Sequence, residues 1–288
     1  MNGKGFFAQR RQIETPSGTI GYVEQGRGPV ALFVHGVLLN GYLWRHQLAQ
    51  LSDVKRCIAV DLLAHGNSEI SATQDVSVTA NAHMLAQFLD AMKIDQVDLV
   101  GNDSGGGICQ IFAALYQKRL RSLALTNCDA HDNWPPEAFK PFVAMVAAGG
   151  LAETLNSMLA DKGVYRSALA PAYERPEDVT DDAIETYLRP LVRTKQHTRN
   201  MERFVNAFDC RHTVQIEKQL GLVQAPTLIA WGTDDIYFDL KWSLWLANAI
   251  PGTRKRVEFP SAHIFFPEER SQEFNAELRA HWAASSNA

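Results

Sequence analysis

The stretch Asp98–Gln110, DLVGNDSGGGICQ, runs an apolar strand pattern straight into Asn-Asp-Ser and then three glycines. Two side chains in that turn are candidate nucleophiles, and they imply different reactions. A strand, a sharp turn and a helix, with Gly two before and two after one residue, push that central side chain above a sheet. The flanking glycines remove Cβ atoms that would collide there. Centring on Asp103 gives Gly101-Asn-Asp-Ser-Gly105, with Gly at both places. Centring on Ser104 puts Asn102 where the first Gly belongs, although Gly106 fits downstream. The register favours Asp103, with Ser104 as the alternative. The plain competing role for Asp103 is to cap the helix that follows.

Two later segments argue for chemistry. WGTDD (Trp231–Asp235) and PSAHIFFPEE (Pro260–Glu269) each follow an apolar strand pattern. They supply a carboxylate and a histidine in the chain order nucleophile, acid, histidine. Asp235 is the expected acid, because Asp234 serves the turn; Asp129, after another strand, is the reserve. A carboxylate attacking an ordinary ester would give a mixed anhydride. At an sp3 carbon it displaces a leaving group and forms an alkyl-enzyme ester. His263, neutral and held by Asp235, would then take a proton from the water that attacks the Asp103 carbonyl carbon.

These groups need a scaffold. TIGYVEQG, VALFVHG, KRCIAVDL, QVDLVG, LRSLALTN, APTLIAWG and KRVEFP read as strands, several of them apolar on both faces. Helical patterns alternate with them, as in SVTANAHMLAQFLDAMKI, where Ser77 or Thr79 can cap. The alternation implies a parallel sheet covered on both faces. It stops after Asn127 and resumes at Ala225. The expected organisation is a core from residues 1–128 and 215–288, with an all-helical cap, residues 129–214, over the carboxyl edge of the sheet. Open α/β sheets place ligands at that edge.

Composition bounds the partners. The chain has 288 residues, 46% of them hydrophobic, and a net charge of −4. That balance offers no long-range attraction to nucleic acid or anionic lipid. No stretch has the length of a membrane span, and the N-terminal Gly-Phe-Phe-Ala is too short for a secretory signal. Cys57, Cys109, Cys128 and Cys210 lack metal spacing and read as reduced thiols. The expectation is a cytoplasmic monomer or homodimer acting on a small-molecule substrate. No metal constellation or dinucleotide fingerprint is present, so no cofactor is expected.

On FVHG, VDLLAHGNS, VGNDSGG, WGTDD and SAHIFFPEE the chain resembles the α/β-hydrolase superfamily from about Ser17 to Trp282. Aspartate at the elbow is similar to the haloalkane dehalogenase and epoxide hydrolase branch, as is DNWPPEAF at the start of the cap. The resemblance implies an α/β-hydrolase fold: a mostly parallel central sheet flanked by helices, with an inserted helical lid. It places the backbone amides of Val37 and Ser104 as oxyanion donors, and His35 as a brace for its loop beside the pocket. Asn127 stands where part of the branch carries the acid, which directs that role to Asp235. Ser104, Asn40 and Trp134 are the candidate leaving-group donors, since the tryptophan that dehalogenases place after the nucleophile is missing. Tyr165, Tyr173 and Tyr187 are the candidate lid phenols for an epoxide, and Phe265 is a candidate pocket wall. Ala64 stands where the superfamily usually has Gly. Serine esterase or lactonase chemistry on Ser104, and a binder without chemistry, are the alternatives.

Overall fold

The computed structural model describes residues 2–285. Eight strands form one sheet: β1 (Arg11–Thr15), β2 (Gly18–Gln25), β3 (Val30–Val34), β4 (Arg56–Val60), β5 (Val97–Asp103), β6 (Leu120–Cys128), β7 (Thr227–Gly232) and β8 (Thr253–Phe259). Their order is β1-β2-β4-β3-β5-β6-β7-β8. β2 pairs antiparallel with both β1 and β4, and every pairing from β4 across to β8 is parallel. The central strands explain their own position. All residues of VALFV in β3 and of VDLVGND in β5 are buried, as expected where helices cover both faces. At one edge, β8 carries Arg254, Lys255 and Arg256. Charge on an exposed edge discourages pairing with another chain.

β1 departs from the sequence reading, which had no strand there. Its RQIET has one apolar residue, half-buried Ile13, so the alternation has too little contrast to register. The N-terminal apolar scrap is a short helix, Gly3–Ala8, and Phe6 packs edge-on against Tyr42 with ring centres 5.3 Å apart.

The helix Val78–Ala91 starts where expected, with the Ser77 hydroxyl accepting from the Ala80 amide. It packs on the helix Ser104–Leu115, which is buried along nearly its whole length against β5 and β6. At the far end of the sheet Asp98 is buried with Lys55 Nζ at 2.6 Å, and it accepts from Ser122 Oγ at 2.7 Å. Between β6 and β7 the described residues form helices and turns only, the longest being Leu151–Ala160 and Lys195–Asn206. Two buried contacts tie these helices to the sheet layer. Tyr187 Oη donates at 2.9 Å to Glu268, which itself pairs with Arg45 at 2.7 Å, and Asn40 Nδ2 donates to the Thr186 carbonyl at 2.8 Å. All four cysteines are free. No single helix among the described residues is long and apolar enough to cross a membrane.

Candidate active site

β5 ends on Asp103 and the next helix begins on Ser104, with no intervening residue. Asp103 has φ 57° and ψ −137°, a conformation that costs a non-glycine residue roughly 1–3 kcal/mol. Its side chain makes no capping bond to the helix, so capping does not account for that strain. Two glycines let the strain exist. A methyl group at Gly105 would lie 2.6 Å from the Val34 carbonyl oxygen, and one at Gly36 would overlap the Asp103 carboxylate itself. Asn102, which spoils the Ser104 register, turns away from the site and donates to Thr126 Oγ1 (2.8 Å) and the Ile264 carbonyl (2.9 Å). The elbow is therefore centred on Asp103.

The carboxylate is buried, yet Oδ2 accepts from the Val37 amide at 2.9 Å. Burial pushes its pKa up to about 7; the Ser104 and Val37 amides pull the other way, and the charge of Asp235 pushes it further up.

Asp235 lies just past the carboxyl end of β7. Oδ1 accepts from the Tyr237 amide and Oδ2 from Asn127 Nδ2, both at 2.8 Å. Burial again dominates and pushes this acid up to about 7. Asn127 does more than leave the acid's place open. Its amide also donates to the Gly232 carbonyl (3.0 Å) and accepts from the Gly232 amide (2.6 Å), stitching the ends of β6 and β7 together under Asp235.

His263 differs from expectation. Its Nδ1 faces the Pro171 carbonyl at 2.9 Å, and among the described residues it has no hydrogen bond to Asp235 or Asp103. The segment after Leu169 brings the Pro171 carbonyl to the imidazole, while the Asp235 oxygens take their donors from Tyr237 and Asn127. A carbonyl accepts only, so Nδ1 is the donor in this contact.

A cavity of about 50 Å³ sits over Asp103. Val37 and Leu38 wall it from the loop after β3; Pro136, Phe139, Leu169, Ala172 and Phe208 close it from the helical segment. Tyr237, Phe238, Ile264 and Phe265 complete the apolar wall, and Asp129 is the second carboxyl group on it. Of the residues singled out from sequence, Val37, Asp103, Asp129 and Phe265 line this cavity.

The others lie elsewhere. Ser104 Oγ is buried without a hydrogen-bond partner among the described residues and is not part of the cavity wall. Asn40 is no leaving-group donor, because it is fully buried off the cavity wall, with Nδ2 donating to the Thr186 carbonyl and Oδ1 accepting from the Tyr42 amide at 3.0 Å. Trp134 packs on Gly107 and Phe208 behind the wall. His35 is no pocket residue: it is fully buried, Nδ1 donates to the Gly36 carbonyl at 2.8 Å and Nε2 accepts from the Leu62 amide at 3.1 Å. Burial pushes its pKa down to about 4, which keeps this brace neutral. Tyr187 is spent on Glu268, Tyr165 is buried outside the cavity, and Tyr173 packs on Phe265 from outside it.

Tyr237 and Leu38 went unnoticed in the sequence. Tyr237 stands two residues past Asp235, and that proximity to a strand end is the signal that would have found it. Among the described residues no group of three His, Cys, Asp or Glu side chains is placed to hold a metal ion.

The family model for the alpha/beta hydrolase fold matches residues 29–270. The chain belongs to the α/β-hydrolase family. It is 26% identical over 269 residues to haloalkane dehalogenase 2 of Mycobacterium tuberculosis (strain ATCC 25618 / H37Rv), covering 91% of this chain and 90% of the relative. It is 24% identical over 242 residues to epoxide hydrolase 2 of Caenorhabditis elegans, covering 76% and 65%. Among solved structures, an ancestral haloalkane dehalogenase superposes with a TM-score of 0.80 at 20% identity, covering 96% of this chain and all (100%) of that one. At that identity the superposition speaks for the fold. The family match makes this chain an α/β hydrolase, and its curated relatives are haloalkane dehalogenases and epoxide hydrolases.

Proposed function

We propose that this hydrolase acts on a small, mostly apolar substrate with an electrophilic sp3 carbon, through an ester formed on Asp103. One observation carries the reading: a carboxylate on a left-handed elbow, held by the Val37 amide, faces a small apolar cavity. An Asp103 oxygen attacks the carbon, and the bond to the leaving group breaks with its electron pair. In the second half, water adds to the Asp103 carbonyl carbon. The Val37 and Ser104 amides, already directed at the carboxylate, receive the oxyanion without reorganising. His263 takes the water's proton on Nε2, with the Pro171 carbonyl holding its Nδ1–H. Asp235 stabilises the resulting imidazolium by its charge, an influence that already runs between the two groups. Ser104 Oγ is buried with no hydrogen-bond partner among the described residues, and so no base to activate it, which speaks against serine acyl transfer. The substrate is the one partner this scheme needs.

The test is His263→Ala incubated with 1-bromobutane. The expected result is a butyl adduct that accumulates on the peptide carrying Asp103 and clears in the wild type. An adduct on Ser104, or none on either residue, would overturn the proposal.

A further inference from the structure

Asp129 is the cavity carboxyl group that the scheme above leaves without a task. β6 pairs with β5 through Cys128 and Asp103, so the residue after Cys128 leaves the sheet beside the nucleophile. Gln110 Nε2 fixes the backbone there, donating to the Asp129 carbonyl at 2.7 Å. The Asp129 side chain lines the cavity and is 1% exposed, and its Oδ1 has no hydrogen-bond partner among the described residues. A buried polar atom without a partner is uncommon and asks for an explanation.

The two cavity carboxyl groups are unequal. Asp103 has the amides of Val37 and Ser104 favouring its anion, whereas Asp129 has only its own backbone amide, and its Oδ1 has no partner among the described residues. Two buried carboxyl groups this close resist double ionisation, as a shared-proton pair does. The proton therefore belongs on Asp129, where burial and the neighbouring Asp103 charge push the pKa well up. Asp235 lies off the cavity wall and is occupied by Tyr237 and Asn127. The Tyr237 phenol is on the wall but is pushed up by burial and by the charges of Asp235 and Asp103, making it the weaker proton donor. The lid phenols stand outside the cavity. What remains is a neutral acid, with an O–H lacking an acceptor, beside a carboxylate prepared to attack.

We propose that Asp129 donates a proton to the oxygen that departs when Asp103 attacks, so the substrate is an epoxide or a similarly strained cyclic ether. This rests on Asp103 acting as the nucleophile. The bond from Asp103 to carbon forms as the carbon–oxygen bond breaks. The electron pair goes to oxygen, which takes the Asp129 proton and becomes a hydroxyl group. Hydrolysis of the ester puts one water proton on the second hydroxyl and the other on His263; transfer from His263 back to Asp129 through solvent closes the cycle. The product is a vicinal diol.

The experiment measures single-turnover alkylation of Asp103 by styrene oxide and by 1-bromobutane, in the wild type and in Asp129→Asn. Bromide leaves without a proton. The loss for styrene oxide is therefore expected to be about 100-fold, the usual size of a general-acid contribution, and to exceed the loss for 1-bromobutane by at least about 30-fold. Equal losses for both probes, or no loss for styrene oxide, overturn the proposal. Wild-type labelling by 1-bromobutane alone overturns the role of Asp129 and leaves the Asp103 nucleophile standing; labelling by neither probe removes both. If Asp129→Asn does not fold, infrared difference spectra of the wild type decide. The carboxylic-acid carbonyl band should bleach as styrene oxide alkylates Asp103, and its failure to bleach overturns the proposal.

Discussion

Replacing the nucleophile should stabilise the protein, and by an amount that depends on pH. Asp103 sits at the bottom of a cavity with too few donors to offset its burial, so its pKa is pushed up from 3.8 to about 7. The folded state then binds a proton that the unfolded chain has already lost. The sign follows from linkage: wild-type stability falls as pH rises from the unfolded value through the folded one, and the loss is complete above about 7. At 1.36 kcal/mol for each pH step, the interval amounts to at most about 4 kcal/mol, of which roughly 2–3 kcal/mol lies between pH 5 and pH 7. Asp103→Asn keeps the shape and an acceptor for the Val37 amide but carries no charge. Urea unfolding of both proteins at pH 5, 6, 7 and 8 isolates the effect, because any fixed cost of the substitution is the same at every pH. The stability difference should shift in favour of the variant by roughly 2–3 kcal/mol across that range. A difference that stays constant, or moves toward the wild type with rising pH, would refute the claim that this carboxylate is held charged against its surroundings.

Gly36→Ala places a methyl group into the Asp103 carboxylate, so turnover of 1-bromobutane should fall by about 100-fold or more, as misplacement of a reacting group by an ångström does; a change under about threefold in kcat would contradict the geometry. Asn127→Ala removes both bonds to Gly232 and the donor to Asp235, and denaturant unfolding should show a loss of about 2–3 kcal/mol. Ala64 sits at φ 68°, where glycine is unstrained and alanine costs about 1–2 kcal/mol. After the entropy that glycine adds to the unfolded chain, Ala64→Gly should gain about 0.5–1 kcal/mol, read as a raised unfolding midpoint, and a lowered midpoint would count against it.

Much of this was legible in the sequence for physical reasons. The strands buried on both faces announced themselves as apolar runs, and Gly101 and Gly105 placed the elbow on Asp103 because a Cβ fits at neither position. Side-chain partners were less accessible. Nothing local to PSAHIFF says that Nδ1 of His263 meets a carbonyl 92 positions earlier, in Pro171. Tyr187 looked available for chemistry, yet its hydroxyl is used 81 positions away by Glu268. Asn40 was likewise already committed to Thr186, across the join between the helical segment and the sheet. β1 escaped notice because an edge strand needs little apolar content. Asp129 read as a spare acid, and only the unpaired oxygen in the cavity distinguishes it from one.

The covalent route through Asp103 is tested most directly by one turnover in water labelled with oxygen-18, with enzyme in excess over 1-bromobutane. The account predicts the heavy oxygen in the Asp103 carboxyl group and unlabelled butanol, since the alcohol oxygen comes from the enzyme and water attacks the ester carbonyl. Labelled butanol from that first turnover, with no label on the Asp103 peptide, would mean that water attacks the substrate directly, and the nucleophile would have to be given up.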